Sequence, residues 1–422
     1  MTFTDVPGTF SCRICGGAAR EFLDLGRQPV SNAFVRPEDV EDEVFFRLTV
    51  GVCDVCCMVQ QREEVPRENM FHADYPYRSS GSEAMRRHFR GVAEHLIETE
   101  LAADNAFAVE IGSNDGIFLE TIHQAGIRHL GVDPSGGVSE SAKDKGIRVL
   151  VDFFTAESGA QVRGTEGPAD LIFSANCISH IAYIDSIFKG VDALLAPTGV
   201  FVFEDRYLGD IVDHLSFDQI YDEHYYLFSV TAVRNLAATF GFELVDVEHL
   251  GVHGGSVRYS VARVGARRVS PRVTQYLEHE RERGYGTLPT LTRFADTVKR
   301  ICSDLVEVLE TLRAEGKTVV GYGATSKSAT IVNFAGIGPG HVSYVCDSTP
   351  EKQGRLTPGA HIPIRPSEAF SAPYPDYAVL FAWNHATEIL AKEQEFTAQG
   401  GRWVLYVPDV HVLEHGELPA VP

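Results

Sequence analysis

No stretch of this 422-residue chain approaches the roughly 20 consecutive apolar residues of a bilayer-spanning helix, so no helical membrane span is expected. Met1 to Phe10 contain no basic stretch followed by an apolar run, which argues against a secretory leader and for a cytoplasmic protein. Positive charge is short: 37 Lys and Arg stand against 58 Asp and Glu, a formal net charge of −21. A chain so acidic repels a nucleic-acid duplex at long range, which excludes a general nucleic-acid binder. A small anionic ligand is not excluded, because local Lys, Arg and backbone N–H groups can hold one. Cysteine is scarce outside the N-terminus, with five of eight in the first 57 residues. In a reducing compartment that distribution points to a metal rather than to four disulfides. No convincing short repeat is present. Oligomeric state is barely addressed by the sequence, which is compatible with a monomer.

What is present is ordinary for a globular protein, 44% hydrophobic and 23% charged residues, on a length that exceeds a single core. Cys12-Arg13-Ile14-Cys15 and Cys53-Asp54-Val55-Cys56 are two Cys-x-x-Cys knuckles, and together they supply the four thiolates of a structural tetrahedral zinc site. Cys57 is a surplus thiol, and either Cys56 or Cys57 can be the fourth ligand. The 37 residues between the knuckles leave room for a short strand-rich insert such as Phe45 to Val50. Four thiolates leave no open coordination position, so this zinc would be structural. The competing reading is four unligated buried cysteines.

From Ala106 to about Val264, apolar runs alternate with segments of helix length, the pattern of βαβ units and a largely parallel sheet. Strands are expected at 107–111, 129–133, 171–174, 199–203, 242–247 and 256–261. Thr287 to Glu315 reads as a long helix, with Leu291, Phe294, Val298, Ile301 and Leu305 on one face. A second α/β pattern follows, with strands expected at 318–323, 342–347, 377–381 and 402–407. Three units result: 1–75, 76–265 and 266–422.

Val109-Glu110-Ile111-Gly112-Ser113-Asn114-Asp115-Gly116 follows the first of these strands and opens a helix. The loop differs from the dinucleotide fingerprint Gly-x-Gly-x-x-Gly, because an Asn-Asp pair replaces the glycines that make room for a pyrophosphate. S-adenosylmethionine carries no phosphate, and a polar, less open loop suits its amino-acid end. Asp133, at the end of the next strand, is placed to accept from both ribose hydroxyls. Asp152-Phe153 is an acid–aromatic pair suited to the adenine amino group and ring face. The expected cofactor set is Glu110, Gly112, Ser113, Asn114, Gly116, Asp133, Asp152, Phe153 and Asn176.

Gly321-Tyr322-Gly323-Ala324-Thr325-Ser326-Lys327-Ser328 again follows a strand and opens a helix. The P-loop order is absent, yet helix-start N–H groups with Lys327 make an anion site by dipole and charge. Lys352, Arg355 and Arg365 could add positive charge.

The four-cysteine module, the Glu-x-Gly-Ser-Asn-Asp-Gly loop and the Gly-Tyr-Gly-Ala-x-x-Lys loop together resemble the sugar C-methyltransferases, which act on nucleotide-linked 4-keto deoxysugars made for antibiotic glycosylation. Asp24 to Pro29, Phe71 to Tyr77, Tyr221 to Tyr226 and Asp347 to Gly354 add to the likeness, which spans nearly the whole chain. The resemblance implies an α/β enzyme: a zinc-binding module, a class I, Rossmann-like methyltransferase domain, and a C-terminal Rossmann-like domain for the nucleotide-sugar. It implies C3 methylation of a TDP-4-keto-deoxyhexose. Methylating carbon needs a carbanion equivalent, and a C4 ketone acidifies the C3 hydrogen by delocalising charge onto O4 as an enolate. Such a reaction wants a base near C3 and donors near O4.

The resemblance implies His224 as that base, with Tyr221 and Glu223 orienting the sugar or tuning it. Tyr75 would donate to the enolate, and His180 is a rival base or a ligand for a sugar hydroxyl. Gly323, Lys327, Lys352, Arg355 and Tyr77 would hold the TDP-sugar. Without the resemblance a lone histidine is more often structural, and Tyr225 to Phe228 reads as core. Glu204 and Asp205 end a strand, either facing substrate or forming a solvated edge. Two rival functions stand beside this one. The second Rossmann-like unit could bind NADPH and reduce the 4-keto group, alone or alongside methylation; or the chain could be a zinc-organised binding protein with an inactive methyltransferase fold, against which the intact Glu110, Gly112, Gly116 and Asp133 speak.

Overall fold

The computed structural model describes residues 8–70, 78–371 and 373–414. Three sheets organise the chain. The first is antiparallel, with strands Thr9–Ser11, Ala18–Pro29, Phe45–Cys53, Val59–Gln61 and Tyr226–Leu227 in spatial order. Its last member comes from the middle of the chain: Tyr226 pairs with Gln60 and Leu227 with Val59. The N-terminal module is thereby stitched to the segment that carries His224.

The second sheet has the order Phe242–Leu250, Ser256–Arg263, Leu195–Arg206, Ala169–Ala175, Phe107–Ile111, Arg128–Val132 and Val149–Leu150. All pairings are parallel except those of Ser256–Arg263, which lies antiparallel between its two neighbours. This is the class I methyltransferase sheet. Phe107–Ile111 is buried along its whole length, as a central parallel strand covered on both faces must be. The chain leaves it first toward Arg128–Val132 and later crosses to Ala169–Ala175, so the strand order reverses beside it. Open α/β sheets bind ligands in the crevice such a switch point leaves at the strand C-termini. The first glycine loop sits there.

The third sheet repeats the scheme: Ile364–Pro366, Val345–Asp347, Val319–Tyr322, Tyr377–Leu380 and Arg402–Leu405 run parallel, and His411–Val412 closes the edge antiparallel. Its switch point lies between Val319–Tyr322 and Tyr377–Leu380, where the second glycine loop emerges. The long helix spans Leu288–Ala314 with Pro289 in its first turn, and Leu291, Phe294, Val298, Ile301 and Leu305 are all buried, as their spacing predicts. A helix at Pro271–Arg283 and the short strands at 149–150, 226–227, 364–366 and 411–412 go beyond the sequence expectation.

Candidate active site

Cys12, Cys15, Cys53 and Cys56 converge, all four Sγ atoms lying within 4.8 Å of one another. Tetrahedral zinc with Zn–S near 2.3 Å requires sulfurs about 3.8 Å apart, so the residues fit that ion. Backbone N–H groups of Ile14 and Val55 donate to Cys12 and Cys53, each at 3.4 Å, and Gln60 Nε2 donates to Cys12 Sγ at 3.0 Å. These donors favour thiolates. Cys57, at φ 61°, is outside the cluster, so the four thiols that could hold the ion include Cys56 and not Cys57.

At the first switch point a cleft is lined by Gly112, Asn114, Asp133, Phe153, Asn176, His180 and Tyr183 among others. Gly112 has φ 72°, and a Cβ there would stand 2.6 Å from Cys177 Sγ. Both Asp133 oxygens brace the loop, accepting from Asn114 N–H and Ser135 N–H at 2.8 Å each. A carboxylate oxygen has a second lone pair, so ribose hydroxyls can still bind. Phe153 offers a ring face, and Arg67 of the N-terminal module stands over it at 4.1 Å and over Tyr183 at 4.6 Å. Polar loop, acid and aromatic face fit adenosylmethionine.

Other members of the expected cofactor set serve the loop rather than line the cleft. Glu110 is buried beneath it, and burial with Asp133 and Asp115 nearby pushes its carboxyl well above the usual range. Ser113 is buried, and Gly116 (φ 75°) caps the following helix where a Cβ would meet Ile147 Cδ1 at 2.4 Å. Asp152 is exposed and accepts from the adjacent Phe153 N–H. Tyr75 and Tyr77 lie outside the described residues.

His224 lies where the three units meet. It is buried, its Nδ1–H donates to the Gln219 carbonyl, and its Nε2 has no hydrogen-bond partner among the described residues. Burial, aided by the charges of Arg206 and Lys327, holds its pKa well below the histidine range. The Tyr221 ring sits 4.1 Å and the His180 ring 5.2 Å from the His224 ring, centroid to centroid. Burial and the same Arg206 charge push His180 down to about 3. Gln61 Nε2 donates to the carbonyls of Tyr221 (2.6 Å) and His224 (2.9 Å), fixing the segment from the N-terminal side. Asn32 Nδ2 donates to Glu223 Oε1 at 2.6 Å, and its Oδ1 accepts from Ser326 Oγ at 2.8 Å. One asparagine thus ties the histidine segment to the second glycine loop.

Lys327 opens the helix Ser326–Ala335, donates to Asn384 Oδ1 at 2.6 Å and stands 4.3 Å from the Trp383 ring centroid. Burial lowers its pKa to about 8, opposed by Asp218. Asp218 in turn accepts from Trp383 Nε1 and Tyr406 Oη, each at 2.7 Å, and so holds the C-terminal domain against the methyltransferase domain. Gly323 has φ 89°, with Ala382 packed where a Cβ would be. Lys352 and Arg355 are engaged internally: Lys352 Nζ donates to the Ala324 carbonyl at 2.9 Å and Arg355 to the Phe34 carbonyl at 3.0 Å. Arg365 stacks on Tyr344 at 4.2 Å.

The two glycine loops are built alike. Asp347 accepts from Ala324 N–H and Thr349 N–H at 2.8 Å each, as Asp133 does from Asn114 and Ser135. In the second loop, however, Lys352 Nζ lies 3.8 Å from Asp347, over the Phe34 ring, where a ribose would approach. Nothing in that arrangement supports an NADPH site. Glu204 and Asp205 are buried rather than a solvated edge, Glu204 holding His88 and Arg258, and Asp205 holding Ser179. Tyr226 and Phe228 are core, and Tyr226 also forms a strand. Arg67, Arg206, Gln219, Asn32 and Asn384 contact candidate site residues and are not flagged by the sequence, because each is brought in by distant elements without a local motif.

Family models match along the chain: a zinc binding domain at residues 12–71, a methyltransferase domain at 85–247 and a C-methyltransferase C-terminal domain at 251–408. The chain is 35% identical over 407 residues to C-methyltransferase NovU of Streptomyces niveus, covering 95% of this chain and 96% of that protein. Among solved structures, the magnesium protoporphyrin IX methyltransferase ChlM of Synechocystis with bound SAM aligns at 13% identity over 42% of this chain and 79% of its own, TM-score 0.32. A SAM-dependent methyltransferase of Anabaena variabilis aligns at 18% over 41% and 84%, TM-score 0.33. The match to NovU runs nearly end to end, and with it the chain belongs to the family of S-adenosylmethionine-dependent C-methyltransferases.

Proposed function

We propose that this enzyme methylates C3 of a TDP-linked 4-keto-(di)deoxyhexose through an enolate, in antibiotic deoxysugar biosynthesis. The observation that carries the reading is the state of His224. A carbonyl only accepts, so its bond from Nδ1 fixes the proton there and leaves Nε2 as a lone pair without a partner among the described residues. That is the tautomer a general base needs. His224 lies against His180, which lines the cleft at the first glycine loop, and Asn32 links the neighbouring Glu223 to the second loop, where Lys327 stands at a helix start.

S-adenosylmethionine supplies an electrophilic methyl group when bound. His224 Nε2 takes the C3 proton while Tyr221, against its ring, positions the sugar. Tyr75 is the proposed phenolic donor to O4. Glu223, held by Asn32, keeps the segment in register with the second loop. Lys327 and the N–H groups near Gly323 receive the diphosphate, Lys352 supports that loop through the Ala324 carbonyl, and Arg355 ties its own segment to Phe34 of the N-terminal module.

His224→Ala tests the reading. Turnover on a TDP-4-keto-2,6-dideoxyhexose is expected to fall about a hundredfold or more, with adenosylmethionine affinity by calorimetry nearly intact. Full turnover in the variant would overturn the role of His224.

A further inference from the structure

Arg206 is the last residue of strand Leu195–Arg206, at the C-terminal edge of the sheet. Its guanidinium has two hydrogen bonds, both to neutral amide oxygens: Nε to Gln219 Oε1 at 3.0 Å and Nη1 to Asn176 Oδ1 at 3.3 Å. Among the described residues no carboxylate pairs with it within 4.0 Å. Arg258, two residues along the adjacent strand from Ser256, the cross-strand partner of Arg206, behaves otherwise, for it pairs with Glu204 and Glu248. In a chain of net charge −21, a half-buried cation that no carboxylate among the described residues approaches within 4.0 Å, its nearest charge partner being the adjacent Asp205, calls for a reason.

The charge of Arg206 bears on His180, His224, His253 and Lys327, disfavouring a proton on each. Together with Lys327 it brings positive charge to the surroundings of His224, with Asp205 beside Arg206 and Asp218 beside Lys327. Such a site is relieved when negative charge arrives. Two negative charges would arrive with the proposed substrate, the diphosphate and the enolate oxygen, and position separates them. The partners of Arg206 are Asn176, which lines the cofactor cleft, and Gln219, whose carbonyl holds the His224 ring. The guanidinium therefore stands where the methyl-donor cleft adjoins the base. On the sugar ring O4 is borne by the carbon next to C3, whereas the diphosphate leaves from C1, beyond C2. A base at C3 thus puts O4, not the diphosphate, within reach of a group tied to its own support, and leaves the diphosphate to Lys327.

We propose that Arg206 is a catalytic residue, donating N–H to O4 and stabilising the enolate with its fixed charge. The assignment rests on the 4-keto-sugar reading above. The C3–H bond breaks, its proton goes to His224 Nε2, and its electron pair becomes the C3–C4 double bond. The C4–O4 π pair moves onto O4, where the negative charge meets the guanidinium. Arg206 keeps its proton throughout, and no oxidant or reductant is consumed.

The test measures enolisation alone. A TDP-4-keto-2,6-dideoxyhexose is incubated in D₂O with enzyme and no adenosylmethionine, and exchange of the C3 hydrogen is followed by NMR at saturating substrate. Arg206→Gln is expected to slow C3 exchange about a hundredfold or more, the usual loss when an oxyanion donor is removed. Arg206→Lys, which keeps the charge, is expected to retain more exchange than Arg206→Gln. Adenosylmethionine affinity and melting temperature, unchanged in either variant, separate this loss from misfolding. Exchange at the wild-type rate in Arg206→Gln overturns the proposal, as does a defect confined to KM or an equal loss in both variants. A wild type that neither exchanges C3 hydrogen nor gains a methyl group on any keto-sugar overturns the substrate reading first, and this assignment with it.

Discussion

Gly112→Ala is the sharpest perturbation of the cofactor loop. The position has φ 72°, a left-handed conformation that costs an L residue roughly 1–2 kcal/mol. An added Cβ would also stand 2.6 Å from Cys177 Sγ and 3.0 Å from Cys177 Cβ. Forcing that contact in a packed interior costs about 1–3 kcal/mol more. The sum, about 2–5 kcal/mol, corresponds to at least a 30-fold change in an equilibrium constant. It is expected as weaker adenosylmethionine binding, a lower melting temperature, or a split between them, so calorimetry and thermal melts are read together. Cys177→Ala in the same background removes the sulfur and should return most of the packing part while leaving the backbone part. A Gly112→Ala protein with wild-type affinity and melting temperature refutes the loop argument. A double variant no better than the single one refutes the role of Cys177.

Other expectations follow from the same geometry. His224 is held well below the usual histidine pKa, so it is already the free base above that range, and the acid limb of kcat/KM should fall below pH ~6.5. An acid limb at or above pH ~6.5 that vanishes in His224→Gln would contradict this. His180, His224 and His253 all have lowered pKa values when folded, so the unfolded chain binds more protons. Their contribution to stability is present above an unfolded pKa of about 6.5 and lost as pH falls below it, which a melting-temperature series from pH 8 to 5 checks. Cys53→Ser should lose zinc by elemental analysis and fold poorly, whereas Cys57→Ser should keep both metal and fold; equal zinc loss in the two contradicts the ligand set.

What the sequence makes legible here is what is local. The Cys-x-x-Cys knuckles, the strand–loop–helix around Gly112 and the buried stripe of Leu288–Ala314 are set by residues a few positions apart, and periodicity or spacing displays them. Asp133 is legible for the same reason, one residue past its strand. The active-site walls are not local. Tyr226 pairs with Gln60, Asn32 reaches Glu223, and Asp218 receives Trp383 and Tyr406, contacts that depend on how the units pack and leave no nearby trace. Lys352 and Arg355 look from sequence like free cations, yet backbone carbonyls take them up. Arg206 looks ordinary in sequence, and what sets it apart is that its hydrogen bonds among the described residues go to the amide oxygens of Gln219 and Asn176 rather than to a carboxylate.

The most direct test of the central claim is mass spectrometry of a C3-deuterated TDP-4-keto-2,6-dideoxyhexose incubated with the enzyme and S-adenosylmethionine, with a parallel NADPH reaction. The account predicts replacement of the C3 deuterium by CH₃, a net gain of about 13 mass units, and no gain of mass with NADPH. Methyl gain with the C3 deuterium retained, or a gain of about 2 mass units with NADPH alone, would contradict it.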